Sequence, residues 1–304
     1  MFGLIDGRTQ LVGLIGWPVE HSLSPAMHNA AFESLGLNWR YVPLPVAPGQ
    51  VATALRGLVA LGFKGANVTV PHKSAVLPEL DAVAPEAGGL GAVNTVVIGR
   101  DADNRARLTG HNTDLAGFIG ALQESGFEPE GRSVVVVGAG GGARGVVYGL
   151  MEAGVGRIVV LNRTTERAAA LISDLGGVSK AGAAPEPPTL EALPLDSDAL
   201  TATARAADLL VNTTSVGMWP DVDASIWPEG EPIPPGLTVF DLVYSPRETK
   251  LVRQARRSGA QAIDGLGMLV LQGALSFELW TGLQAPVEVM RKACRRSLHS
   301  AGGC

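Results

Sequence analysis

Cysteine is almost missing from this chain: two among 304 residues, Cys294 and Cys304, both close to the C-terminus. That excludes a disulfide framework and any cysteine-based metal site. The five histidines, His21, His28, His72, His111 and His299, form no H-x-x-x-H pair, so no metal is expected. No apolar run reaches the ~18 residues of a membrane-spanning helix. The N-terminus lacks a charged stretch followed by an apolar one, so no secretory signal is expected. Charge is sparse too, at 17% of residues, with a formal net charge of −5. No lysine/arginine run breaks that balance, and the basic "RKACRRSLH" reads as the solvated face of a last helix. Bulk nucleic-acid binding is therefore not expected. Together these absences predict a cytoplasmic protein with no membrane or nucleic-acid partner, and they leave monomer and homodimer both open.

What is present is apolar and turn-rich. Hydrophobic residues make up 46%, with 39 glycines and 20 prolines. Such a chain can bury large cores, and its length suits two domains. From residue 11 to about 110, short apolar runs alternate with helical segments. "QLVGLIG", "WRYVPLPV", "GANVTV" and "GAVNTVVIG" read as strands. Within the third, "NVTV" reads as a short alternating strand that Pro71 ends. "SPAMHNAAFESLG" reads as a helix with Ser24 as cap, Pro25 in its first turn and Gly36 past its end. "GQVATALRGLVALG" is a second helix. A further βα series starts after residue 130, with strands "RSVVVVG", "RIVVLNR", "ADLLVNTTS" and "LTVFDLVY" and helices "TERAAALISDLG" and "RETKLVRQARRSG". Residues 176 to 198 read as mostly loop with room for one short strand, and the last forty residues as helical. The fold class is α/β, with two domains joined near residue 112 and parallel or mixed sheets.

"VVVVGAGGGARG" follows a continuous apolar strand and opens a helix. Gly138-x-Gly140-x-x-Ala143 matches the dinucleotide fingerprint, with alanine in third place. The first glycine permits the tight turn, the second lets backbone approach a pyrophosphate, and Ala143 lets helix and sheet pack closely. An NAD site would carry Asp or Glu near the end of the next strand, to accept from the ribose 2′-hydroxyl. Here that strand ends "LNRTTER". Arg163 and Arg167 offer two guanidinium groups suited to a 2′-phosphate, and if a helix began at once they would share its face. NADP is the expected cofactor.

Hydride transfer to a carbonyl leaves an alkoxide that needs a proton, and the reverse reaction needs a base. Lys73, in "NVTVPHK", can serve, with Asp114, in "GHNTDLAGF", beside it where a cleft between domains would lie. "EHSLSPAMHN" adds Ser22 and Ser24 at the positive end of a helix, a place suited to a carboxylate. Singly, each has an ordinary alternative: Lys73 as a solvated lysine at a helix start, Ser24 and Asp114 as helix caps, Asn94 and Thr95 as turn residues.

As a set they closely resemble the shikimate dehydrogenase family. The matching segments are "GWPVEHSLSPAMHNAAF", "NVTVPHK", "GAVNTV", "NTDLAGF", "VVGAGGGARGV", "NRTTERA", "NTTSVGM", "DLVYSP" and "GLGMLVLQGALSFELWTG", in family order from residue 16 to 282. The resemblance implies NADP-dependent interconversion of 3-dehydroshikimate and shikimate, in aromatic amino-acid biosynthesis by way of chorismate. It implies an N-terminal substrate domain, 1–112 completed by 266–304, and a Rossmann-like NADP domain, 113–265. Its C-terminal helices return to the first domain. Lys73 and Asp114 would be catalytic. Ser22 and Ser24 would hold the substrate carboxylate, and Asn67, Thr69, Asn94, Tyr244 and Gln272 would hold its hydroxyls or help close the pocket. Gly138, Ala139, Gly140, Gly141 and Gly142, with Asn162, Arg163, Thr164 and Arg167, would bind the cofactor. Thr213, Leu242 and Gly265 would lie near its nicotinamide half. Gly142 stands where the family usually has alanine, and the 176–198 stretch is longer than usual. A quinate or aminoshikimate paralogue would use the same lysine and aspartate. Quinate users tend to replace one serine by threonine, or to carry an acid after the second nucleotide strand, and neither change is present. A non-catalytic NADPH-binding regulator would lose Lys73 or Asp114. A tetrahydrofolate-linked dehydrogenase leaves "SLSP" and "QGA" unexplained.

Overall fold

The computed structural model describes residues 5–176 and 187–301. Two compact units divide the chain, Met1–Asp114 with Val270–Cys304, and Leu115–Leu269.

The first unit opens with β1 (Gln10–Gly16), α1 (Ser24–Ser34), β2 (Trp39–Pro45), α2 (Val51–Ala60) and β3 (Gly65–Val68). After a 3₁₀ turn at Leu77–Glu79 come β4 (Ala82–Val83), α3 (Pro85–Leu90), β5 (Thr95–Arg100) and β6 (Ala106–His111). The sheet order is β2-β1-β3-β5-β6-β4. β1 pairs in parallel with β2 and β3, while β5 runs antiparallel to both β3 and β6, so the sheet is mixed. β3 is not the alternating strand expected: Gly65–Val68 is buried at all four positions, and Thr69 and Val70 lie beyond it. A central strand covered on both faces has no solvent side to alternate toward. Ile15, Ala66, Val68 and Val96 pack with Leu55 and Leu58 of α2 in one core.

In the second unit, α4 (Asp114–Glu124, whose first residue still belongs to the first unit) leads to β7 (Ser133–Val137), α5 (Gly141–Glu152), β8 (Arg157–Asn162) and α6 (Thr165–Gly176). Then come β9 (Thr189–Pro194), α7 (Ser197–Arg205), β10 (Leu209–Asn212), β11 (Thr238–Asp241), α8 (Lys250–Arg257) and β12 (Gln261–Ile263). The order β12-β11-β10-β7-β8-β9 is parallel throughout. Read from β7 outward, this is the doubly wound dinucleotide-binding order, with its reversal between β7 and β10. α9 (Leu266–Thr281) follows, its residues from Val270 onward belonging to the first unit, and then α10 (Val287–Ala301). In the first unit, Phe277 of α9 stacks on Phe32 of α1 with ring centres 5.2 Å apart.

The stretch expected to be mostly loop contains β9 and runs into α7, which Asp196 caps by accepting from the Ala199 N–H at 2.8 Å. Its residues 177–186 lie outside the described residues.

Candidate active site

Lys73 sits in the turn that follows β3, not at a helix start. The Thr69 N–H donates to the Ile15 carbonyl at 2.8 Å and the His72 N–H to the Thr69 carbonyl at 2.9 Å. His72, buried, donates from Nε2 to the Val46 carbonyl at 2.6 Å. The Lys73 carbonyl accepts from the Val93 N–H at 2.8 Å. With its backbone held on both sides, the lysine presents Nζ to Asp114 Oδ2 at 2.6 Å. Both side chains are partly exposed, at 32% and 23%, so the pair is open to a ligand. An ammonium has three hydrogens, and this bond uses one. Asp114 is the first residue of α4 rather than its cap, and its N–H donates to Asn112 Oδ1 at 3.1 Å. The positive end of the helix also favours a carboxylate there.

Around this pair the first unit gathers a buried polar network. Asn67 donates from Nδ2 toward the Asn94 carbonyl (3.1 Å), Thr95 Oγ1 (3.0 Å) and Ser276 Oγ (2.9 Å), and accepts at Oδ1 from the Tyr41 hydroxyl at 2.8 Å. Asn94 Oδ1 accepts from the Thr113 N–H at 2.8 Å and from Thr95 Oγ1 at 2.9 Å, while its Nδ2 donates to Thr113 Oγ1 at 2.9 Å. Gln272 Oε1 lies 3.4 Å from Asn94 Nδ2 and 3.5 Å from Thr113 Oγ1. The two amide hydrogens of Asn67 already face three acceptors. A ligand hydroxyl meeting Asn67 without displacing one of them would therefore donate to Oδ1. Thr69 makes no side-chain hydrogen bond among the described residues, which leaves its hydroxyl available. Tyr41, Thr95, Thr113 and Ser276 complete this network. The sequence offered one signal for Ser276, a polar residue one helical turn after Gln272.

Ser24 does not cap α1. The cap position is Leu23, with no side-chain capping bond, and it is Ser22 Oγ that accepts from the Ser24 N–H at 3.2 Å. Ser24 is buried. Burial holds the Tyr41 phenol above the usual tyrosine range, against the pull of that serine.

One turn along α1, His28 is fully buried and stacks on Tyr41 with ring centres 4.5 Å apart. Neither ring nitrogen has a hydrogen-bond partner among the described residues. Burial pushes its pKa from 6.5 down to about 3. The unfolded chain takes up this proton below about pH 6.5, whereas the folded chain does so only near 3. Stability from neutral His28 is therefore complete above that upper value and is lost as pH falls, at about 1.4 kcal/mol per pH unit. His28→Leu should gain on the parent by roughly that slope between about pH 6 and about pH 4 in denaturant unfolding. A parent–variant difference independent of pH would contradict it.

In the second unit, β7 is buried apart from its first residue and delivers Gly138 with φ +114°, a conformation that side chains disfavour. A Cβ there would also lie 2.5 Å from Thr213 Oγ1. Thr213, just past β10, donates from its hydroxyl to the Val137 carbonyl at 2.7 Å. The loop is thus pressed into the reversal between β7 and β10. Ala139 is half-buried, Gly140 to Gly142 are exposed at the N-terminus of α5, and Ala143 is buried against the sheet. Such a cradle, with backbone donors and a positive helix end, fits a pyrophosphate. Past β8, Asn162 Nδ2 donates to the Thr164 carbonyl at 2.9 Å, and α6 starts only at Thr165. Arg163 therefore precedes the helix, and the helix face expected to be shared with Arg167 does not exist, because the Asn162 turn intervenes. Both arginines are exposed, with no ion-pair partner among the described residues. Leu242 and Tyr244 follow β11, and Gly265 precedes α9.

Residues 14–96 match the shikimate dehydrogenase substrate binding domain, 121–217 the shikimate/quinate 5-dehydrogenase family, and 265–295 the shikimate 5′-dehydrogenase C-terminal domain. A shikimate dehydrogenase (NADP(+)) from Moorella thermoacetica is 48% identical over 300 residues, covering 98% of this chain and 97% of the relative. Among solved structures, shikimate 5-dehydrogenase from Thermus thermophilus, in complex with NADP(H) and shikimate, is 41% identical with a TM-score of 0.81. It covers 95% of this chain and 99% of the other. A quinate dehydrogenase from Corynebacterium glutamicum, in complex with NAD, is 36% identical with a TM-score of 0.83, over 95% and 99% of the two chains. Likeness at this identity along nearly the whole length of both chains means that the chain belongs to the shikimate dehydrogenase family.

Proposed function

We propose that this protein is an NADP-dependent shikimate dehydrogenase, reversibly reducing 3-dehydroshikimate to shikimate. The observation that carries it is the Lys73–Asp114 pair, joined at 2.6 Å beside a polar network suited to a polyhydroxylated ring. The first unit is the substrate-binding domain and the second the NADP-binding domain. NADPH, when bound, supplies the hydride. Everything else falls to the chain's own residues. Lys73 gives its proton to the oxygen that becomes a hydroxyl and takes it back in the reverse direction, while Asp114 holds the ammonium in place and can accept from a neighbouring hydroxyl. Ser22 and Ser24 receive the carboxylate. Asn67, Thr69, Asn94 and Gln272 receive the hydroxyls.

Gly138 to Gly142 would hold the pyrophosphate, Asn162 to Arg167 the adenosine 2′-phosphate, and Thr213, Leu242 and Gly265 would lie toward the nicotinamide half. Two exposed arginines and no acid at the end of β8 favour NADP over NAD. A doubly charged phosphate gains from both guanidinium groups, whereas NAD leaves them solvated. The expected preference is at least ~10-fold in kcat/KM, or about 1.4 kcal/mol. Changing both arginines to alanine should remove most of it through the KM for NADP, with NAD kinetics little changed. The proposed function is tested by 3-dehydroshikimate-dependent oxidation of NADPH, and the cofactor assignment by repeating it with NADH. Absence of turnover would overturn the function, and equal use of both nucleotides the cofactor.

A further inference from the structure

The glycine loop of the second unit is flanked by two residues from other segments. A Cβ on Gly142 would stand 3.7 Å from both the Thr213 carbonyl and Leu242 Cδ2, and Thr213 also meets the loop at Gly138. Thr213 follows β10 and Leu242 follows β11, in stretches without regular structure. One carboxylate fixes both. Asp241, the last residue of β11, is wholly buried. Its Oδ1 accepts from Asn212 Nδ2 at 2.9 Å and from the Val243 N–H at 3.1 Å. Its Oδ2 accepts from the Thr249 hydroxyl at 2.6 Å.

Each partner governs a different segment. Asn212 precedes Thr213, and its Oδ1 holds the Thr214 N–H at 3.0 Å and the Thr214 hydroxyl at 2.7 Å. Val243 stands between Leu242 and Tyr244. Thr249 caps α8, accepting from the Val252 N–H at 3.2 Å. Leu242 is pinned from its other side as well: its carbonyl would lie 2.2 Å from a Cβ on Gly265, an approach only glycine allows.

We propose that Asp241 is a positioning residue: out of reach of any ligand itself, it locks the Thr213 and Leu242–Tyr244 segments against the glycine loop, so that the nicotinamide half of NADP is received in one orientation. This rests on the NADP reading above. The function is geometric. An amide can keep its oxygen toward Asn212 and Val243 and donate to Thr249, whose oxygen has a second lone pair and can accept. Alanine leaves three buried donors without their acceptor.

The test titrates the full-length protein with NADPH and with 2′,5′-ADP, which lacks the nicotinamide half. Asp241→Ala should weaken NADPH at least ~10-fold and lower kcat further, as misplacement of reacting groups does. It should leave 2′,5′-ADP affinity unchanged, and Asp241→Asn should restore NADPH to within about 3-fold of the parent. Equal weakening of both nucleotides, unchanged NADPH affinity, or an asparagine variant no better than alanine would each overturn the proposal. If Asp241→Ala does not fold, Thr249→Val removes one of the three bonds and should show the same split at about 3-fold; no split there overturns it. A parent protein that binds neither nucleotide would instead overturn the NADP reading itself.

Discussion

Replacing Lys73 by alanine is expected to lower kcat by ~10²–10⁴, the range for loss of a positioned general acid–base group. Shikimate KM should move much less, because the proposed carboxylate and hydroxyl contacts lie on other residues. Among the described residues the lysine side chain bonds only to Asp114, both groups are partly exposed, and the turn is held by backbone bonds to Ile15, Thr69 and Val93. The variant should therefore fold and bind both ligands, which makes its loss of turnover interpretable. Steady-state kinetics against shikimate at saturating NADP checks this. Near-normal turnover with a raised KM would make Lys73 a binding residue only.

Ser22→Ala and Ser24→Ala should each weaken shikimate binding by roughly 1–3 kcal/mol, the worth of a hydrogen bond to a charged group. That corresponds to about 5- to 150-fold in KM, with NADP affinity unchanged. The structure sharpens this expectation. Because Ser24 caps nothing, its loss should cost α1 little, and a KM effect cannot be passed off as helix fraying. Ser22 does have a local bond, to the Ser24 N–H, so its variant should also lose a little stability. A double variant with unchanged shikimate KM would reject the carboxylate assignment.

Some of this was readable in the sequence, and the reasons are specific. The central strands β1, β7 and β8 are buried on both faces and show as apolar runs bounded by glycine or polar residues. The glycine loop showed itself because φ +114° at Gly138 is a backbone demand that leaves a mark on composition. β6 and β4 escaped because they lie at the far end of the first sheet, where "ARLTGH" has no clean period and Ala82–Val83 is two residues long. α7 escaped because its apolar content is low, although Asp196 was a visible cap signal. Individual candidate residues were legible where the proposed chemistry calls for the residue type, as at Lys73 and Asp114. Ser276, Tyr41 and Asp241 were not, since their partners lie far off in the chain or in turns that sequence does not define. Asn67 and Ser276, 209 residues apart, meet at 2.9 Å.

The most direct test of the central claim is a side-by-side measurement of kcat/KM for the unmodified protein, with shikimate and quinate each assayed with NADP and NAD. The Lys73–Asp114 pair would serve either acid, so discrimination must come from the pocket and from the arginines beyond β8. The account predicts shikimate with NADP as the best pair, with NAD at least ~10-fold poorer and quinate poorer with either nucleotide. Equal use of NAD and NADP, or quinate turned over as well as shikimate, would contradict it and point to a quinate/shikimate dehydrogenase of dual cofactor use.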